Sequence, residues 1–515
     1  MNDTTEREEF PEHWSWISLG KLGEWGSGGT PKSDNDAYYG GDIPWLKIGD
    51  LNNGVVAESE EKITQKGLQE SSAKLIPENA LLVAMYGSIG KLGITGVQCA
   101  SNQAIAYCIP DTESVSLKYL FWALRHHQTD LIESGKGGVQ KNISQTVLKN
   151  FEIPLPPLPE QRRIVAKIEE LFSNLDAGRA DLQAAGQQLE RYRLSVLQAA
   201  VEGRLTADWR RTHDPEPADQ LLERILEERR EQWEEDYRAK YEKKGKELPK
   251  YWKNRYSPPD EPDLPDDLHE VPESWTWTSI GYMCDMTSGG TPKRSDDSYW
   301  GEDIPWLKSG ELNDGLVTGA EERITEKGLD ESSTNIFPSG TLLIALYGAT
   351  TGKLGILDFP SATNQAVCGL FVTESLNTKY LFWYLRQFRP ELLSKRFGGA
   401  QKNISQTILK QVPVPLPPLA EQKQIVDEVE RLLSVAEDAS ATANREETRA
   451  ERLRQSILKQ AFSGRLVPHD EDATPPSIDG TASEASDSDA SDGSDSDVED
   501  LLGSTDPDKQ IEMDL

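Results

Sequence analysis

Two textures alternate along the chain. From Pro11 to Pro154, short apolar stretches are broken by Gly, Pro, Asn and Asp. Ala80 to Met85 and Gln103 to Ile109 predict strands, and Lys118 to Arg125 and Ser144 to Lys149 predict short helices. That mixture describes an α/β domain of about 145 residues. After the proline run Pro154 to Pro159 the pattern changes, with no further proline until beyond Arg211. An apolar stripe returns every seven residues at Ile168, Leu175, Leu182, Leu189 and Val196, with Leu171, Gly178, Ala185, Tyr192 and Ala199 three residues on. Five heptads of this kind predict a coiled-coil seam. Roughly 42 helical residues at about 1.5 Å each would span about 63 Å. The bland alternative is a surface helix lying on its own domain.

The whole arrangement occurs twice, at an offset of 261. Pro11 to Trp16 returns as Pro272 to Trp277, Ser27 to Lys32 as Ser288 to Lys293, and Asp42 to Lys47 as Asp303 to Lys308. Gln140 to Thr146 returns as Gln401 to Thr407, Pro154 to Leu158 as Pro415 to Leu419, and Gly203 to Leu205 as Gly464 to Leu466. A period this long is a duplicated module, not a solenoid. The second stripe reads Val429, Ala436, Ala443, Ala450 and Ile457, with Leu432, Ala439 and Leu453 as companions.

Composition narrows the class. The 515 residues carry 87 acidic and 55 basic side chains, a formal net charge of −32. Asp470 to Leu515 holds sixteen acidic residues and one Lys, so −17 remains on the rest. Bulk charge therefore cannot hold the chain on nucleic acid or an anionic membrane. Mean hydropathy is −0.60, yet 13 Trp, 15 Tyr and 11 Phe can anchor cores. No apolar run approaches the length of a membrane span, and Met1 to Phe10 lacks a signal-peptide core. Cys99, Cys108, Cys284 and Cys368 form no C-x-x-C pair, which argues against a disulfide framework or a zinc site. A soluble, reduced, cytoplasmic protein is expected. Asp219 to Arg255 predicts one or two mixed-charge helices, Ser257 to Asp267 a stiff acidic linker, and the Ser/Asp tail too little apolar content to fold.

Motifs for catalysis are missing. Gly87-Ser-Ile-Gly-Lys91 and Gly348-Ala-Thr-Thr-Gly-Lys353 have gaps of two and three where a P-loop needs four, and Leu follows each Lys. None of the six histidines recurs in the other copy, so they are expected at the surface, and no metal site is expected. What does recur is a polar and aromatic set: Lys47, Tyr86, Lys91, Asn102, Gln103, Gln140, Lys141, Asn142 and Ser144. Its counterparts are Lys308, Tyr347, Lys353, Asn364, Gln365, Gln401, Lys402, Asn403 and Ser405. Amides can read adenine edges, and lysines guanine or phosphate, which makes these DNA-contact candidates. The alternative is architectural, with Asn142 or Asn403 merely capping the helix that follows.

Gly137-Gly-Val-Gln-Lys-Asn-Ile-Ser144 leads to Pro154-Leu-Pro-Pro-Leu-Pro-Glu-Gln161 and Ile164-Val165, and its twin runs from Gly398 through Pro415 and Gln422 to Val426. From Pro11 to Pro468 this order resembles the specificity subunit of type I restriction-modification enzymes. The resemblance implies an α+β fold of two mixed α/β target-recognition domains in tandem, each followed by a long helix, the two helices pairing as an antiparallel coiled coil. The expected division is 1–157 and 271–418 for those domains, and 158–206 and 419–468 for the helices. A charged helical insertion with an acidic linker would occupy 207–270, and a disordered acidic tail 469–515. It also implies a non-catalytic reader of a bipartite target in double-stranded DNA, with the helices spacing the half-sites and docking two methyltransferase subunits. S-adenosylmethionine would belong to those partners, and ATP with magnesium to motor-nuclease subunits where present; this chain would carry no cofactor. The insertion and the tail depart from the plain family pattern.

The two globular parts are identical at roughly half of their positions, so a partly palindromic target is expected. The competing class is a duplicated scaffold that assembles partners through its coiled coil without reading sequence. The acidity also resembles proteins of salt-rich cytoplasm, where at about 1 M salt the Debye length falls to about 3 Å. A halophilic source follows as an expectation.

Overall fold

The computed structural model describes residues 11–135, 142–394 and 403–469. The chain divides into two compact units, Met1–Ala177 with Ala450–Leu515, and Gly178–Arg449. Each unit thus holds one globular domain and a portion of both long helices.

In the first unit a five-stranded sheet runs in the order Gly23–Ser27, Ile105–Pro110, Leu81–Ala84, Leu92–Thr95, Val55–Val56. Tyr39–Leu46 lies between Lys62–Ile63 and Ala100–Ser101 in a second sheet. Ser15–Ser18 pairs antiparallel with Glu152–Leu155, tying the start of the domain to its end. Leu81 to Ala84 is apolar throughout because both faces of that strand are buried. Helix Leu117–His126 covers the sheet with Tyr119, Leu120, Phe121, Ala123 and Leu124.

The second unit repeats the plan. Asp285–Ser288, Val367–Phe371, Leu342–Ala345, Leu354–Leu357 and Gly315–Val317 form its five-stranded sheet, and Thr276–Ser279 pairs with Pro413–Leu416. The inserted helix, Ala218–Lys243, is part of this core, with Leu221 and Ile225 fully buried. Arg229 donates to Gly281 O at 3.1 Å, to Tyr282 O and to the Asp285 carboxylate, which staples the insertion to the domain.

A central helix, Leu158–Val201, and a distal helix, Leu419–Phe462, each run for 44 residues. They pair antiparallel. In the second unit Arg179 Nε lies 3.0 Å from Glu447 Oε1 and Arg193 Nη2 lies 3.3 Å from Ser440 Oγ. In the first, Arg454 meets the Asp176 carboxylate and lies 4.9 Å over the Phe172 ring. Ile168, Val196, Val429 and Ala436 of the expected seam are buried. Leu175, Leu182, Leu189, Ala443, Ala450 and Ile457 are half-buried.

The companion line is corrected. Tyr192 and Leu453 point to solvent, 41% and 42% exposed. The true companions lie four residues after the stripe: Phe172, Arg179, Gly186, Arg193 and Ala200 on one helix, Leu433, Ser440, Glu447, Arg454 and Ala461 on the other. Their middle members are polar, so counting apolar residues selects the wrong line. A two-helix contact is thin enough to leave those positions partly or fully exposed, with the ion pairs Arg179–Glu447 and Arg454–Asp176 in place of dry packing.

Candidate nucleic-acid interface

In the first unit the loops at the sheet ends are bonded into one rim. Asn102 N donates to Leu46 O at 3.0 Å, Met85 N to Ala104 O at 2.8 Å, and Ile143 N to Met85 O at 3.0 Å. Gly29 N donates to Ser101 O at 2.8 Å, and the Thr30 hydroxyl to the Gln103 side chain. Gly28 and Gly29 permit this approach, since a Cβ on either would sit 2.2 or 2.3 Å from backbone of Ser101 or Ser72. The second unit repeats the network: Asn364 N to Leu307 O at 2.9 Å, Leu346 N to Ala366 O and Ile404 N to Leu346 O at 2.7 Å each, and Thr291 to Gln365. The described candidates therefore converge within each domain, although they lie far apart in sequence.

Their roles within the rim differ. Lys91 Nζ donates to Ile48 O and Gly49 O at 3.3 Å, pinning a turn; in the second copy Thr350 Oγ1 does this for Ser309 O at 2.9 Å, and Lys353 is half-buried nearby. Gly87, Gly90, Gly348 and Gly352 have φ of 64°, 73°, 96° and 79°, so the apparent phosphate loops are hairpin turns that need glycine. Asn102 and Asn364 accept from the backbone of Ala104 and Ala366, both at 3.2 Å, and hold their own loops. Ser144 and Ser405 cap helices Gln145–Asn150 and Gln406–Lys410, accepting from Val147 N at 3.2 Å and Ile408 N at 3.1 Å. The cap is thus serine, not Asn142 or Asn403, both of which are exposed. Gln103, Gln365 and Tyr86 also face solvent, and Tyr347 is half-buried. Gln140, Lys141, Gln401 and Lys402 lie outside the described residues.

Lys47, Lys308 and Arg294 of the rim carry carboxylate partners. Lys47 pairs with Glu61, and Lys308 Nζ lies 3.0 Å from both Glu321 and Glu322. Hydrogen bonds that Lys308 donates to Glu321 and then Glu322 raise its pKa. Arg294 pairs with Glu322 and lies 4.0 and 4.9 Å over the rings of Trp300 and Trp306. Thr30, Thr291 and Arg294 were not among the sequence candidates. The recurring Ser-Gly-Gly-Thr-Pro-Lys segment was the available signal for the threonines, whereas Arg294 occurs in one copy alone.

The proline run is a joint. Gln161 accepts from Ser116 N at 2.8 Å and donates to Pro156 O at 2.9 Å and Ser114 O at 3.1 Å. Gln422 repeats this with Asn377 N at 2.8 Å and Pro417 O at 2.9 Å. Tyr119 OH donates to Pro154 O at 2.6 Å, and Tyr380 OH to Pro415 O. Each long helix is thereby locked to the domain before it.

The six histidines are not uniformly at the surface. His13, His126 and His127 are half-buried, and burial pushes the His126 pKa down to about 4, helped by His127. All four cysteines are buried free thiols, pushed up to about 12 by burial and so held inert. Among the described residues no helix is long and apolar enough to cross a membrane.

Residues 11–183 and 272–444 match the model of the type I restriction modification DNA specificity domain. The chain is 25% identical over 484 residues to the EcoDI specificity subunit of Escherichia coli, covering 93% of this chain and 94% of that one. The MjaVIII specificity subunit of Methanocaldococcus jannaschii is 25% identical over 476 residues, covering 88% and 93%. A chain from a type I R-M system, solved to explain its complex assembly and conformational transition, shares the fold at a TM-score of 0.65 and 20% identity, over 89% of this chain and all of that one. The HsdS subunit from Thermoanaerobacter tengcongensis does so at 0.56 and 20%, over 90% of this chain and all of that one. With two matched domains spanning most of its length, the chain belongs to the type I restriction-modification DNA specificity family.

Proposed function

We propose that this chain is the non-catalytic DNA reader of a type I complex, that each loop rim reads one half of a bipartite target, and that the paired helices space the half-sites and dock two methyltransferase subunits. The supporting observation is the rim that each domain builds from the same recurring residues, Lys47, Tyr86, Gln103 and Asn142 in one and Lys308, Tyr347, Gln365 and Asn403 in the other. Exposed amides can take base edges, while Lys47 and Lys308 would exchange carboxylate for phosphate. S-adenosylmethionine would be bound by the methyltransferase partners, and ATP with magnesium by motor-nuclease subunits where the system has them. Similar rims in opposite orientations on DNA would prefer related half-sites on opposite strands.

The test is genome-wide adenine methylation by long-read sequencing, with and without this gene. Loss of one interrupted motif with related half-sites is expected. Unrelated half-sites would refute the partial palindrome. Unchanged methylation, with no specific duplex retention by the chain and its methyltransferase, would favour the scaffold.

A further inference from the structure

Two of the histidines converge on one buried carboxylate. In the first unit His13 Nε2 lies 2.8 Å from Glu160 Oε2, and His469 Nδ1 lies 2.8 Å from Glu160 Oε1. The three side chains offer ligand atoms that all lie within 4.8 Å of one another. They come from three separate stretches: the segment before the first strand, the first turn of the central helix, and the chain just past the distal helix. Glu160 is 1% exposed, His13 17% and His469 37%, so the cluster has a buried floor and one open side. Trp14 Nε1 donates to Glu160 Oε1 at 3.3 Å and orients the carboxylate from behind.

The second unit shows what the same position needs when it is merely structural. Glu421, the counterpart of Glu160, is fully buried and held by Arg210, by Thr206 Oγ1 at 2.6 Å and by Trp275 Nε1 at 2.9 Å. Ser274 stands where the first copy has His13. A guanidinium neutralises the carboxylate but cannot ligate a metal. In the first unit two imidazoles, which can do both, occupy that role.

Two imidazole nitrogens, one carboxylate oxygen and an open side form the donor set that suits zinc. We propose that His13, Glu160 and His469 bind a divalent transition-metal ion of the zinc type, which clasps the segment before the first strand and the end of the distal helix onto the start of the central helix. Each imidazole would give the nitrogen that now faces Glu160. Trp14 would act as the outer partner of the ligating carboxylate.

The experiment uses the full chain without a histidine tag, with Co2+ as a visible-absorption probe and Zn2+ as competitor, alongside thermal unfolding. One Co2+ per chain with a ligand-field band is expected, displaced by Zn2+, with an unfolding temperature that rises with Zn2+. His13→Gln and His469→Gln, which keep an amide donor for Glu160, should each weaken binding by more than about 100-fold, beyond the 10- to 100-fold carried by outer-shell partners such as the one removed in Trp14→Phe. His269→Ala should leave binding unchanged. No ligand-field band, or a band that survives both glutamine variants because acidic residues elsewhere hold the ion, overturns the proposal.

Discussion

Glu421 and Arg210 allow a buried charge to be tested directly. The Glu421 side chain is 0% exposed and Arg210 18%. Arg210 also donates to Gly203 O and to Thr206 Oγ1 at 3.1 Å, and lies 5.8 Å over the Trp275 ring. Arg210→Met leaves a buried carboxylate without its cation, a change that generally costs about 3–5 kcal/mol. Thr206 and Trp275 still donate to it, and hydrogen bonds to charged groups are worth about 1.5–3 kcal/mol each, so the lower end, about 3 kcal/mol, is expected. Glu421→Gln should cost less, about 1–2 kcal/mol, because partly exposed Arg210 can turn to water and keep Gly203 O. The double variant should then be more stable than Arg210→Met alone, since the stranded charge is gone. The assay is urea unfolding read by peptide-resolved hydrogen exchange around 203–213 and 419–429, because two compact units need not unfold together. A cost below about 1 kcal/mol for Arg210→Met, or a double variant less stable than it, would refute the reasoning.

Three further outcomes are expected. Lys308→Ala in the assembled complex should lower the slope of log K against log salt by about 0.9, the loss of one phosphate contact; an unchanged slope would remove Lys308 from the interface. His126 has its pKa depressed to about 4, so the unfolded chain binds more protons below about 6.5 and stability is lost as pH falls from there toward 4. That contribution is at most about 3 kcal/mol, and less given partial exposure; His126→Phe, keeping the stack on Phe462 at 5.2 Å, should flatten this acid limb relative to the wild type, and parallel curves would contradict it. If the net charge of −32 reflects adaptation to salt, unfolding stability should rise from 0.1 M to 2 M salt in the manner of charge screening, and a salt-independent midpoint would dispose of the idea.

The architecture was legible because the repeat fixes it twice. Strands such as Leu81–Ala84 are apolar throughout, and the proline runs mark where each domain ends and a helix begins. The seam was half legible: the Ile168 line is apolar along its length, but its partner line contains Arg179, Gly186 and Arg193, whose pairing with the other helix no periodicity reveals. The insertion read as a separate charged helix, yet Leu221, Ile225 and Arg229 make it part of the second core. Recurrence found the rim but could not distinguish Asn102, which holds its own loop, from Gln103, which faces solvent. His13, Glu160 and His469 are invisible in the sequence for the opposite reason: they meet across 456 positions of chain, and neither histidine has a counterpart, since Ser274 matches His13 and Asp208 matches His469.

The segments most alike between the copies hold the joint and the rim together, so half-site choice should reside where the copies diverge. The Gln-Lys-Asn-Ile-Ser-Gln-Thr segment supplies Ile143 and Ile404, which bond Met85 and Leu346, and the helix caps Ser144 and Ser405. Pro-Leu-Pro-Pro-Leu and the Glu-Gln after it anchor the helices. Arg294 is different, since the first domain has Ser33 in its place, with Tyr39 and Trp45 where the second has Trp300 and Trp306. A guanidinium lying over two indoles is preorganised, and released from Glu322 it presents a fork suited to guanine. Arg294→Ser should relax the preference at one base pair of one half-site, a loss of about 1–3 kcal/mol in discrimination, while leaving the other half-site and the spacer unchanged. Methylome mapping of the variant reads this directly. An intact motif would make the Arg294 stack structural, and loss of the entire motif would mean that the rim had collapsed instead of being re-tuned.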